Sequence, residues 1–318
     1  MTLVIDRHIP FLIEAVRAGW SQVAVRPMEP EAIDAAAVHD ADALVVRTRT
    51  QVNKELLEGS AVQLVCSATI GYDHIDTAYC DAHAIRWATA PGCNAQAVCD
   101  YIAEALDEYH TLRSQSDNYH APTIGVVGVG HVGSLVARMA EQKGMRVLLN
   151  DPPRGIGVSL EQIACECDII TFHVPLTFHS PFPTFHLCDA AFLAQTQPHA
   201  LIINAARGGV VDEQALLASG RPFILDTWEN EPQIHPVVAE QALLASMHIA
   251  GYSLQGKRNA AQMCLDAIAE HFALPRLECP QTDMPHGDSQ PGWLQRISSR
   301  LKSHPEQFEM LRKAYPLR

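Results

Sequence analysis

The stretch that most constrains this chain is residues 123–151, TIGVVGVGHVGSLVARMAEQKGMRVLLND. Thr123–Val127 is an apolar, β-branched run of strand length, and Gly128-Val129-Gly130-His131-Val132-Gly133 follows at once as G-x-G-x-x-G. Leu135, Val136 and Met139 then fall on one helical face, Gly144 ends the helix, and Met145–Leu149 reads as a second buried strand. The glycines answer separate needs. Gly128 permits the tight turn, Gly130 lets backbone approach a pyrophosphate, and Gly133 lets the helix pack closely on the strand. The free N–H groups of the helix start face the phosphates. Asp151, eighteen residues past Gly133, is placed to accept from both ribose hydroxyls of NAD and to repel a 2′-phosphate. This order predicts a dinucleotide site formed by Gly128, Gly130, His131, Val132, Gly133 and Asp151.

Strands alternate with helices on either side of that unit, which predicts an α/β protein with two doubly wound parallel-sheet (Rossmann-like) lobes. In the first lobe, strands are expected at Leu3–Ile5, Val23–Val25, Ala43–Val46, Leu64–Ser67 and Ile85–Ala88, with helices at Phe11–Ala18, Glu31–Ala37 and Asn53–Leu57. A long helix over 95–114 leads into the second lobe, whose later strands are expected at Asp168–Val174, Ala200–Ala205, Phe223–Asp226 and Met247–Ala250. Lys257–Phe272 reads as a helix returning to the first lobe. Residues 275–292 are rich in Pro, Gly, Asp and Gln, and two short helices follow, Trp293–Leu301 and Glu306–Ala314. The expected division is a substrate lobe at 1–94 completed by 252–274, a cofactor lobe at 95–251, and a short helical tail at 275–318. Ligands of such sheets sit beyond the carboxyl ends of the strands, so Arg47–Thr50 and Thr69–Asp73 are binding candidates by position.

The chain of 318 residues has a net charge of −13, which argues against a nucleic-acid or acidic-membrane partner. Its nine cysteines are scattered, without zinc spacing, and read as reduced cytoplasmic thiols; no metal site is expected.

At Asn204-Ala205-Ala206-Arg207-Gly208, then Asp226-Thr-Trp-Glu-Asn-Glu231-Pro and His248-Ile-Ala-Gly, the chain resembles the D-isomer-specific 2-hydroxyacid dehydrogenases. More narrowly it resembles the branch of that family that oxidises a four-carbon phosphorylated sugar acid, 4-phospho-D-erythronate, in pyridoxal-phosphate synthesis. That match rests on Val46-Arg47-Thr48, Ala68-Thr69, Pro91-Gly92-Cys93-Asn94-Ala95, Asp151-Pro-Pro-Arg154 and His248-Ile-Ala-Gly-Tyr252-Ser-Leu-Gln-Gly-Lys257.

The resemblance implies NAD as cofactor and an active site between the lobes. It makes His248 the general acid/base, Glu231 its hydrogen-bond partner, and Arg207 the grip on the substrate carboxylate. It assigns cofactor contacts to Val174, Asp226 and the backbone at Ala205, Ala206, Arg207 and Gly251. It assigns substrate contacts to Thr48, Thr69 and Tyr252. Arg47 and Arg49 are expected to draw the substrate's phosphate. The resemblance also implies a homodimer, although the tail looks shorter than the family's dimerisation domain, with Phe308–Tyr315 resembling one of its helices. The alternatives are a related dehydrogenase acting on phosphoglycerate or glyoxylate-like acids, and a non-catalytic NAD-sensing protein sharing the fold.

Overall fold

The computed structural model describes residues 1–113, 121–281 and 292–317. They fall into two compact units, Met1–Asn94 with Ser253–Pro285 and Ala95–Tyr252 with His286–Arg318. The first unit holds a parallel sheet of β1 (Thr2–Asp6), β2 (Ala24–Met28), β3 (Ala43–Val46), β4 (Leu64–Ser67) and β5 (Arg86–Ala88), in the order β2-β1-β3-β4-β5. Strands β3 and β4 are buried at every position. They are continuous runs rather than alternating ones because helices cover both faces of such a sheet.

The helix expected over Glu31–Ala37 is instead a 3-10 turn, Pro30–Ala32, and a short helix, Ala35–Val38. Asp34 divides them, since its carboxylate caps the second by accepting the Ala37 N–H. The returning helix starts earlier than expected, spanning Leu254–His271, because the Ser253 hydroxyl caps it through the Gly256 N–H at 3.0 Å.

The second unit holds β6 (Thr123–Val127), β7 (Arg146–Asp151), β8 (Ile156–Gly157), β9 (Ile169–Phe172), β10 (Leu201–Asn204), β11 (Phe223–Leu225) and β12 (Leu244–Ala245). Their order is β12-β11-β10-β9-β6-β7-β8, all parallel except for the short β8, which runs against β7. The chain leaves β6 first toward β7 and later returns on the other side through β9. The switch point between β6 and β9 is where ligands settle in such sheets.

Two sequence expectations are corrected here. Strand β9 ends at Phe172, which leaves His173 and Val174 just beyond its carboxyl end. The last strand is β12 rather than Met247–Ala250. The buried Asp226 carboxylate draws in the Ile249 and Ala250 N–H groups at 2.8 and 2.9 Å, and these cannot then serve a strand ladder. His248 between them takes a left-handed φ of 58°.

The tail helices Trp293–Ser303 and Phe308–Ala314 pack on this second unit. Trp293 meets Tyr101 edge-on at 6.2 Å, and Ser298 Oγ accepts the Ala245 N–H at 2.9 Å. Leu294, Leu301 and Phe308 are fully buried. Among the described residues no helix is long and apolar enough to cross a membrane.

Candidate active site

Three glycines of the turn after β6 meet three different surroundings. Gly128 has φ 89°, and a Cβ there would lie 2.7 Å from the His173 carbonyl oxygen. A Cβ on Gly133 would lie 1.9 Å from the Gly128 carbonyl oxygen, so helix and turn touch backbone to backbone. Gly130 faces open space, with nothing within 4 Å of a built Cβ. Gly130 is also the N-cap of the helix His131–Gln142 and supplies no side-chain acceptor. The first N–H groups of that helix therefore point into the open side. A pyrophosphate fits this combination, and a side chain at position 130 would fill the space it needs.

Asp151 closes β7 and is 9% exposed, with Oδ2 accepting the Val129 N–H at 2.8 Å. Arg154 donates to the Val129 carbonyl from the other side. The acid and the turn thus hold each other, and the fixed negative charge disfavours a 2′-phosphate. His173, which sequence reasoning passed over, lies beside Gly128. Its ring nitrogen Nε2 is 3.0 Å from Thr171 Oγ1, and burial pushes the imidazole down to about 3, so it is neutral near pH 7. Its position directly after a central strand was the signal available.

Arg207, Glu231 and His248 come from the loops after β10, β11 and β12, neighbours in one parallel sheet. Their loops therefore emerge from the same edge as the glycine turn after β6. Asn204 locks the Arg207 turn: Oδ1 accepts the Ala206 N–H at 3.1 Å, and Nδ2 donates to the Arg207 carbonyl at 2.9 Å. The Arg207 Nη1 donates to the Ala206 carbonyl at 2.7 Å. Gly208 presses on the next loop so closely that a Cβ would lie 1.8 Å from the Trp228 carbonyl oxygen.

In that loop, Glu231 Oε1 accepts the Trp228 N–H at 2.8 Å, and Oε2 pairs with His248 Nδ1 at 2.8 Å. Both lone-pair sides of the carboxylate are used, and His248 keeps Nε2 for another partner. The histidine side chain is 32% exposed, as a group must be to meet a small ligand.

Asp226 is 1% exposed and accepts from Ser246 Oγ at 2.6 Å, besides the two N–H groups named above. The expected nicotinamide contact is thus a carboxylate turned toward the protein's own donors, where it shapes the loop bearing His248. Tyr252 receives a hydrogen bond from Arg312 Nε at 3.0 Å, with the guanidinium carbon 5.7 Å from the ring centroid. Burial pulls the Arg312 pKa down, but Tyr252, Glu231 and Glu309 outweigh it and raise it above its ordinary value. The tail thereby sets a cation within electrostatic reach of Glu231 in the same chain.

In the first unit, Thr48 and Thr69 follow β3 and β4. Thr69 Oγ1 lies 2.6 Å from Ser67 Oγ, which also meets His74 Nε2 at 3.0 Å. Arg47, expected to draw a phosphate, makes a bidentate pair with the fully buried Asp6 at 2.7 and 3.1 Å. Such a buried carboxylate requires its partner, so this guanidinium is engaged within the fold. Arg49 approaches Glu31 at 4.0 Å.

Residues 98–250 match the family described as D-isomer specific 2-hydroxyacid dehydrogenase, NAD binding domain. The erythronate-4-phosphate dehydrogenase of Bacteroides thetaiotaomicron is 43% identical over 340 aligned residues, covering 100% of this chain and 97% of that one. The protein of the same name from Pseudomonas fluorescens is 38% identical over 356, covering 100% and 92%. Among solved structures, the TT0316 protein of Thermus thermophilus superposes with a TM-score of 0.71 at 23% identity, over 88% of this chain and 99% of that one. This last likeness bears on the fold alone.

Proposed function

The chain belongs to the erythronate-4-phosphate dehydrogenases, within the D-isomer specific 2-hydroxyacid dehydrogenases, and on that premise we propose how its residues run the reaction. The substrate is 4-phospho-D-erythronate, oxidised at C2 to 2-oxo-3-hydroxy-4-phosphobutanoate on the way to pyridoxal 5′-phosphate. Bound NAD supplies the hydride acceptor. Arg207 holds the substrate carboxylate by its guanidinium fork. His248 takes the C2 hydroxyl proton at Nε2. Glu231, on Nδ1, keeps the imidazole in the tautomer whose Nε2 lone pair is free and steadies the imidazolium that forms. Asp151 favours NAD over its 2′-phosphorylated form. Thr48, Thr69 and Tyr252 are the assigned substrate contacts. The single observation that carries the reading is the 2.8 Å pair of His248 and Glu231, on loops of the same sheet edge as the glycine turn.

The purified protein with NAD and this substrate is expected to develop NADH absorbance. If tightly held NADH stalls it, an added 2-oxo acid is expected to restore turnover. Silence under both conditions, with other 2-hydroxy acids active, would favour the related-acid reading, which the engagement of Arg47 by Asp6 also favours. His248→Asn is expected to slow hydride transfer by about 100- to 10,000-fold while NADH still binds; unchanged turnover would refute the role. We also assign a cytoplasmic homodimer, and a monomer mass by light scattering would overturn the dimer.

A further inference from the structure

A second cluster of charged groups lies in the same unit, beside the Arg207 turn. His186 Nε2 is 2.9 Å from Glu229 Oε1, and its Nδ1 is 3.6 Å from Asp212 Oδ2. The His186 backbone N–H donates to the Gly209 carbonyl at 2.7 Å. The ring is stacked on Phe185 at 3.9 Å, and the residue holds a left-handed φ of 50°. Glu213, 5% exposed, accepts the Glu229 N–H at 2.7 Å.

These contacts converge on two segments. Gly209 belongs to the turn that carries Arg207, and Glu229 to the loop that carries Glu231. The segments touch directly at Gly208 and the Trp228 carbonyl. One residue therefore grips both, by its backbone on one side and its ring on the other. Asp212, Glu229 and His186 could each offer one atom to a metal ion, all within 4.8 Å. A protonated imidazole already satisfies both carboxylates from its two N–H groups, so a divalent ion is not needed for charge balance.

We propose that His186 is a positioning residue, a cationic clamp between Asp212 and Glu229 that holds the Arg207 turn in register with the Glu231 loop. The inference rests on the catalytic reading of Arg207, Glu231 and His248 given above. The clamp does not touch the substrate; it sets where the carboxylate grip stands relative to the acid/base pair. Errors of placement on the ångström scale are costly in such sites. The charged groups around the clamp are Asp212 and Glu213 from the turn and helix after β10, Glu229 and Glu231 from the loop after β11, His248 beyond it, and Asp189 on its own loop. With the cation removed, carboxylates crowd the two segments apart, and protons replace it only in acid.

The test uses the full chain with NAD. His186→Leu keeps bulk against Phe185 and removes both ring donors. It is expected to lower kcat/KM about tenfold or more near pH 8.5, chiefly as a raised KM, and to come within about threefold of wild type near pH 6. Oxalate binding, read by calorimetry with cofactor present, should weaken in parallel while NADH affinity holds. His186→Gln, which can still donate to Glu229, and the double change His186→Leu with Glu229→Gln, which removes the bare charge, are both expected to recover most of the loss. A deficit equal at all pH values, unmoved by either rescue, would reduce His186 to a merely structural residue and overturn the clamp. So would wild-type kinetics in His186→Leu, or activity abolished by a chelator and restored by a divalent metal.

Should His186→Leu fail to fold, Glu229→Gln alone decides: a raised KM at constant NADH affinity supports the clamp, and unchanged constants overturn it. Wild-type protein assayed in parallel keeps the two levels apart. If it oxidises no 2-hydroxy acid, the catalytic reading fails and takes the clamp with it; if wild type is active and the variants match it, only the clamp fails.

Discussion

Glu213 shows what a carboxyl group does when the fold gives it backbone N–H company but little water. Burial raises its pKa, the Glu229 N–H partly offsets this, and the charges of Glu229, Glu231 and Asp212 add to the rise, bringing it from 4.5 to about 7. Between those values the folded chain binds a proton that the unfolded chain has released. This contribution to stability is complete below pH 4.5, is lost as pH rises through about 7, and stays lost above it. A shift of this size corresponds to roughly 3 kcal/mol. Glu213→Gln keeps an oxygen for the Glu229 N–H but has nothing to ionise. It is expected to melt above wild type at pH 8 by several degrees, with the difference closing toward pH 5; parallel melting curves at both pH values would refute this. Arg47 and Asp6, forty-one residues apart, teach a related lesson at this scale. A basic residue at a strand end looks the same in sequence whether it faces a ligand or a buried acid, and only the neighbouring strand decides.

At the scale of elements, the glycine turn separates fold from ligand. Gly130→Ala adds a methyl group where the protein has nothing within 4 Å. Its melting temperature is expected to stay within about 1 °C of wild type, while NADH binding by fluorescence collapses. Gly133→Ala drives a methyl group into the Gly128 carbonyl and is expected to lower both, by about 1–3 kcal/mol in stability. The reverse pattern would show that the open side is not where the pyrophosphate lies. The elements legible in advance were those whose reasons are local. The runs of β3, β4 and β6 announce strands by composition, and Asn53, Asp189 and Asp212 announce helices by capping them. The stretch Met247–Ala250 misled because it is as apolar as a strand. What unmakes it is Asp226, more than twenty residues earlier, and no periodicity carries that information.

Taken whole, the molecule depends on its last residues. Leu294, Leu301 and Phe308 are fully buried, and each such side chain contributes roughly 1.5–3 kcal/mol. Together they rival the 5–15 kcal/mol that holds a typical domain. Removing residues 292–318 is therefore expected to leave the second unit unfolded or melting at least 10 °C lower by calorimetry. It also strips Arg312 from Tyr252. A truncated chain with wild-type melting and kinetics would refute both. The tail's helices were readable in the sequence, but their docking site was not, since Ser298 meets Ala245 across fifty-three residues and Arg312 meets Tyr252 across sixty. Each unit is finished by a segment that follows the other in the chain: residues 253–285 close the first, and 286–318 close the second. On the ribosome, then, the nascent chain carries two incomplete sheets until synthesis is nearly over. The usual order, in which an amino-terminal domain folds while the rest is still being translated, is closed to it.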